Sequence, residues 1–172
     1  MTNGETKPDA LKISIRSVGL REQRPEMVLR LTNTATRALH YIADVRATRY
    51  DPATRRLTLA MSDEGRVLVP STIEKPPVFR HLDPGSDAEL VVRIPERIVR
   101  LSRSGPPGEL AFETHRLADV EEVVVDIAWA DVPFYKDTRD SARTDLRMPT
   151  TRWQQHTAHA VQKVERGNPA AT

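Results

Sequence analysis

Two histidines near the C-terminal end, His156 and His159, are three residues apart. On an α-helix this spacing places two imidazoles on neighbouring turns of one face, and a zinc site can be built on such a pair. No acidic residue lies between them, no third histidine is near in sequence, and the chain has no cysteine. We therefore favour two solvent-exposed polar residues over a metal site, and we predict no cofactor.

Catalysis by a hydroxyl group needs a histidine base and an orienting carboxylate in contact with each other. Near predicted loops, His81 lies close to Asp83 and His115 lies close to Asp119. The sequence contains no G-x-S-x-G elbow, and the glycines of loop 105–108 lack the spacings that bind phosphate. We interpret these residues as surface loop residues and expect a protein that is not an enzyme.

A short apolar and aromatic segment is the main binding candidate. It follows the most regular strand pattern of the chain, and aromatic side chains often dominate binding interfaces. The candidates are Val132, Pro133, Phe134 and Tyr135, with Trp153 further along the chain. The competing interpretation is that the segment covers the open end of the fold.

The elements that position these residues are predicted to be β-strands. Apolar residues alternate with polar ones around residues 11–15, 27–31, 57–61 and 90–94, and the pattern is most regular in 123–129. Residues 39–62 are expected to form a hairpin with a bend or bulge in its long first strand. Turn sequences separate the strands, and no persuasive helical period occurs before residue 150.

About seven to nine short strands with regularly spaced turns are typical of an antiparallel sandwich. In this strand rhythm the chain resembles immunoglobulin and fibronectin type III domains. We predict an all-β immunoglobulin/fibronectin-III-like β-sandwich over 10–135, after a flexible N-terminus, 1–9. A small β-barrel is the alternative, because local patterns do not decide how a sheet closes.

Residues 136–172 are predicted to be a basic polar tail. They carry 7 Lys and Arg against 4 Asp and Glu, which leaves 19 against 20 for residues 1–135. Helical spacing of apolar residues predicts a short helix over 151–166. A basic arm can contact nucleic acid, but acidic residues interrupt this one, so nucleic-acid contact ranks third among the functions considered.

Composition limits the remaining classes. A chain of 172 residues suits one domain, and without cysteine it has neither disulfides nor thiolate chemistry. No apolar run approaches the about 18 residues that span a bilayer, and the first residues lack a signal-peptide pattern. We therefore expect a soluble cytoplasmic protein with no membrane partner.

The sequence favours a non-enzymatic binding or assembly module that recognises another protein or a second copy of itself. The second hypothesis is an enzyme, accessory subunit or small-molecule carrier with a pocket at the end of the sandwich.

Overall fold

The computed structural model describes residues 7, 9–20, 23–62, 77–102, 111–136, 148–149 and 156–164. These residues form β-strands and one 3₁₀ turn, Leu117–Asp119; no described segment is a helix that is long and apolar enough to cross a lipid bilayer. In chain order the strands are β1 (Leu11–Gly19), β2 (Glu26–Asn33), β3 (Leu39–Ile42), β4 (Ala47–Asp51), β5 (Arg56–Met61), β6 (Phe79–Leu82), β7 (Asp87–Arg93), β8 (Arg97–Ser102), β9 (Ala111–Arg116), β10 (Glu122–Ala130), β11 (Tyr135–Lys136), β12 (Met148–Pro149) and β13 (His156–Lys163).

Two main sheets build the fold. The smaller sheet has the antiparallel order β1-β2-β7. In the larger sheet β10 is central, with β13 antiparallel along one side and β5 and β3 sharing the other. Strand β4 lies outside β5, and β6 lies outside β3. Both sheets have open edges, so the described strands form the predicted sandwich-like fold and not the closed small barrel that was the alternative.

The apolar core lies between these sheets. Alternate side chains of β2 and β10 are fully buried: Met27, Leu29, Leu31, Val123, Val125, Ile127 and Trp129 are all 0% exposed. They belong to one hydrophobic cluster with residues of β3, β5 and β7. Since burial of each large apolar side chain contributes about 1.5–3 kcal/mol, these two strands hold the sheets together.

The hairpin predicted over 39–62 is present, with a break in its first strand. Residues 43–46 separate β3 from β4, and β4 then pairs with β5. In the turn, the Asp51 carboxylate accepts hydrogen bonds from the Thr54 hydroxyl at 2.7 Å and the Ala53 amide at 3.0 Å. These bonds, the Thr54 bond first, lower the pKa of Asp51. The turn ends at Arg55, whose φ of 51° is left-handed.

The helix predicted over 151–166 is wrong for residues 156–163, which form β13; residues 151–155 and 165–166 lie outside the described residues. The period of this strand is two, because Ala158 and Ala160 are buried and the residues on either side of them are exposed. A marginal helical face cannot compete with an unbroken ladder along the side of β10. Part of the segment assigned to the polar tail is therefore a strand of the larger sheet.

Candidate functional site

The aromatic segment after β10 contributes to packing. Phe134 is 5% exposed, and its ring stacks on Phe79 with the centroids 5.2 Å apart. Phe79 pairs across β3 and β6 with the buried Ile42, so Phe134 covers this part of the larger sheet. Val132 is half-buried and Pro133 is exposed. The end-covering interpretation therefore fits Phe134 better than a binding role.

For the two other aromatic candidates the structure describes no side-chain contact. Tyr135 begins β11 and pairs with Pro149, but its side chain is outside the described part of the structure. Trp153 lies outside the described residues altogether.

His156 and His159 lie on opposite faces of β13, because residues three apart in a strand point to opposite sides. His156 stacks on Trp129, with centroids 4.6 Å apart. Nδ1 of His159 lies 2.6 Å from Oδ1 of Asp126. Their separation excludes joint binding of one metal ion, and the described residues contain no cluster of three metal-ligating side chains.

The His159 and Asp126 pair was not anticipated from the sequence, because the two residues meet only through the β10 and β13 register. A carboxylate on Nδ1 leaves Nε2 free to act as a base. However, the His159 side chain is 57% exposed, and among the described hydrogen bonds none joins it to a hydroxyl group. The contact is therefore an exposed hydrogen bond between two side chains, with no hydroxyl nucleophile bonded to it in the described part of the chain.

His81 and His115 lie in strands β6 and β9, so their prediction as loop residues is wrong, and neither forms the catalytic pair considered from the sequence. His81 and Asp83 are 4.0 Å apart, and both side chains are largely exposed. The ring of His115 packs against Tyr50 instead of reaching Asp119, with centroids 4.7 Å apart. Loop 105–108 lies outside the described residues, as do the basic residues between 137 and 147.

The most exposed large apolar side chain of the described residues, Phe112, lies on the hairpin of β8 and β9. Phe112 is 65% exposed and Val99 is 57% exposed. Val99 pairs with Thr114, and Phe112 is the next residue on the same face of β9. We call this face, formed by the exposed residues Arg97, Val99, Phe112, Thr114 and Arg116, the outer hairpin face.

The opposite face of the hairpin fixes its position. Ile98 is 2% exposed and belongs to the main core, and β8 lies against β4. His115, on the same inward face, packs on Tyr50 of β4. Because alternate residues of a strand point to opposite sides, burying Ile98 and His115 turns Val99 and Phe112 toward solvent.

Two cations stand directly opposite each other at one end of the outer hairpin face. Arg97 pairs with Arg116 in the ladder, and like charges in this position are locally unfavourable. Arg116 approaches Asp119 at 3.5 Å, but its side chain is 83% exposed, so this ion pair contributes little. The arrangement suits a partner that offers apolar groups together with carboxylates or aromatic rings, both of which attract a guanidinium group.

Compared with family models, curated proteins and solved structures, the chain has no match. Its functional assignment therefore depends on the outer hairpin face and the other described geometry. The sequence does contain a signal for this face, the alternation of Ile98 with Val99 and of Phe112 with Glu113. Which of the two faces is covered depends on the position of β4, and that is not a local property.

Proposed function

We propose that this protein is a non-enzymatic binding or assembly module that recognises a protein through the outer hairpin face. The observation that carries the proposal is the exposure of Val99 and Phe112 beside two opposed arginines on a supported hairpin. Aromatic side chains and Arg are enriched in protein interfaces, and Arg is frequent in their energetically dominant parts. The cytoplasmic location expected from the sequence remains part of this proposal.

We also propose that the sandwich is immunoglobulin-like, and the strand order supports this. The neighbours β1-β2-β7 in one sheet and β3-β10-β13 in the other follow the A-B-E and C-F-G neighbour order of immunoglobulin-type sandwiches. Many such domains act as recognition modules, although a fold alone does not define a function.

The alternative, a pocket with catalytic or carrier function, has less support. A groove of about 550 Å³ lies between residues 43–48 and the β7 edge. Its lining includes Asp44 and Arg46, which form an ion pair at 3.0 Å, and it includes no histidine. Nothing in its described lining resembles a nucleophile with its base.

The test is a comparative pull-down from native lysate with the full chain and the double variant Val99→Ser/Phe112→Ser. The matched control is Val91→Ser, which removes a valine that is 58% exposed on β7. We expect the parent and the control to capture the same specific protein, which can be a tagged copy of this chain. The double variant should not capture it. Binding that is unchanged in a folded double variant would contradict the proposal.

A further inference from the structure

One edge of strand β9 has no neighbouring strand in the described part of the chain. Among the described strands it pairs with β8 alone, and β8 is the strand that approaches β4. Alternate residues of β9 therefore direct their backbone N–H and C=O groups away from the protein. An added strand would satisfy these groups and extend the outer hairpin face.

The side chains of β9 are complementary to a second, antiparallel β9. A two-fold axis normal to the sheet and passing at Thr114 pairs Phe112 with Arg116 of the other copy on the outer hairpin face, twice by symmetry. On the opposite face it places Glu113 beside His115 of the other copy, although within one copy these two side chains already lie 3.7 Å apart. The favourable combination is therefore the one on the outer hairpin face, a cation beside an aromatic ring.

The neighbouring symmetric registers are less complementary. An axis at Glu113 places two carboxylates opposite each other, which is unfavourable. An axis at His115 leaves a shorter overlap within Ala111–Arg116. The register centred on Thr114 combines a long overlap with complementary pairs.

We propose that a second copy of this chain binds at the β9 edge of the outer hairpin face, by antiparallel pairing of β9 with β9 around Thr114. This inference rests on the proposed function and names its partner. One strand of six residues buries less than the roughly 1,000 Å² typical of a stable interface. The dimer is therefore reversible and forms at high protein concentration.

Site-directed disulfide trapping tests the register, because the parent chain has no cysteine. Thr114→Cys places two thiols on the axis, where paired Cα atoms are about 4.5–5.5 Å apart, within disulfide range. In Val99→Cys the thiols are separated by three strand spacings, about 14 Å. In Phe112→Cys they are four residues apart along the strands, about 13 Å, although this position is highly exposed.

We expect mild oxidation to crosslink Thr114→Cys efficiently and both controls weakly. An equimolar mixture of Phe112→Cys and Arg116→Cys should form the mixed crosslink in preference to either self-crosslink. In sedimentation equilibrium of the cysteine-free chain, Phe112→Ala should weaken self-association about tenfold, since two cation–aromatic contacts are lost. Val91→Ala should leave it unchanged.

A Thr114→Cys yield no higher than that of Val99→Cys overturns the β9 pairing. A monomer at every concentration overturns the second copy as partner. In either case the lysate experiment distinguishes failure of the self-pairing from failure of the proposed function. If the chain captures a different protein and this capture depends on Val99 and Phe112, the proposed function stands.

Discussion

Replacing Asn33 is expected to cause a large loss of stability. Asn33 is the only buried polar residue among the described residues, with 0% exposure. Its side-chain amide donates hydrogen bonds to the carbonyl oxygens of Arg37 at 2.9 Å, Leu82 at 2.9 Å and Asp83 at 3.1 Å. Its oxygen accepts the Ala35 amide at 2.8 Å. One side chain thus joins the end of β2, the following turn and the end of β6.

The expected loss of folding stability follows from these contacts. In Asn33→Ala the buried Leu82 carbonyl loses its donor, at a cost of about 1–3 kcal/mol. The other three bonds are part-buried, so water replaces them incompletely, and each loss costs about 0.5–1 kcal/mol. The total is about 2.5–6 kcal/mol, a large fraction of the 5–15 kcal/mol typical of a domain. The melting temperature should fall by about 10 °C.

Asn33→Asp has nearly the same shape and tests the hydrogen-bond directions. One carboxylate oxygen keeps the Ala35 amide as its donor. The other faces three carbonyl oxygens, so burial and this repulsion raise the pKa of the introduced carboxyl group. Its folded form is then favoured when protonated, and stability is lost as pH rises through the raised pKa. At neutral pH this variant should be less stable than Asn33→Ala, and it should recover partly on acidification.

Urea unfolding monitored by tryptophan fluorescence and circular dichroism measures these differences. The matched control is Thr34→Ala, which removes one part-buried bond to the Ala10 carbonyl at 3.1 Å and should cost no more than about 1 kcal/mol. An Asn33→Ala variant within about 1 kcal/mol of the parent would refute the reasoning. So would an Asn33→Asp variant more stable than Asn33→Ala at neutral pH.

His40 and Ala158 provide two further tests. Burial lowers the pKa of His40 from 6.5, His81 acts in the same direction, and Asp131 opposes both. The contribution of neutral His40 to the free energy of unfolding is therefore complete above pH 6.5 and is lost as pH falls through the lowered pKa. His40→Gln should flatten the dependence of the urea midpoint on pH. An unchanged pH dependence would contradict this reasoning. Ala158→Asp places a charge on the buried face of β13 and should cost about 3 kcal/mol or more, whereas the adjacent exposed Thr157→Asp should cost about 0.5 kcal/mol or less. Equal effects in the two variants would argue against the strand.

The central strands were predictable because their alternation matches a two-layer environment. Met27 and Leu29 on β2, and Val125 and Trp129 on β10, are buried as the period of two indicates. The prediction failed at β13, where small residues and histidines fit a helix or a strand equally well locally. The segment forms a strand because it pairs along one side of β10, which is far away in sequence.

The parallel pairing of β5 with β10 also depends on contacts between segments that are distant in sequence. The break at residues 43–46 ends the pairing of β3, and β5 continues along the same side of β10. Local alternation predicts a strand but not the neighbour it will find. This is also why the contact between His159 and Asp126 could not be read from the sequence.

Exceptions to the usual distribution of polar and apolar residues separate structural from functional positions in this protein. Asn33 is polar and buried, but its donors and acceptor are satisfied within the chain, so its role is complete in the monomer. Phe112 is aromatic and exposed beside the opposed cations Arg97 and Arg116. Because local inconsistencies that the fold itself does not compensate tend to occur at functional sites, we propose the outer hairpin face as the part of the described surface that interacts with another molecule.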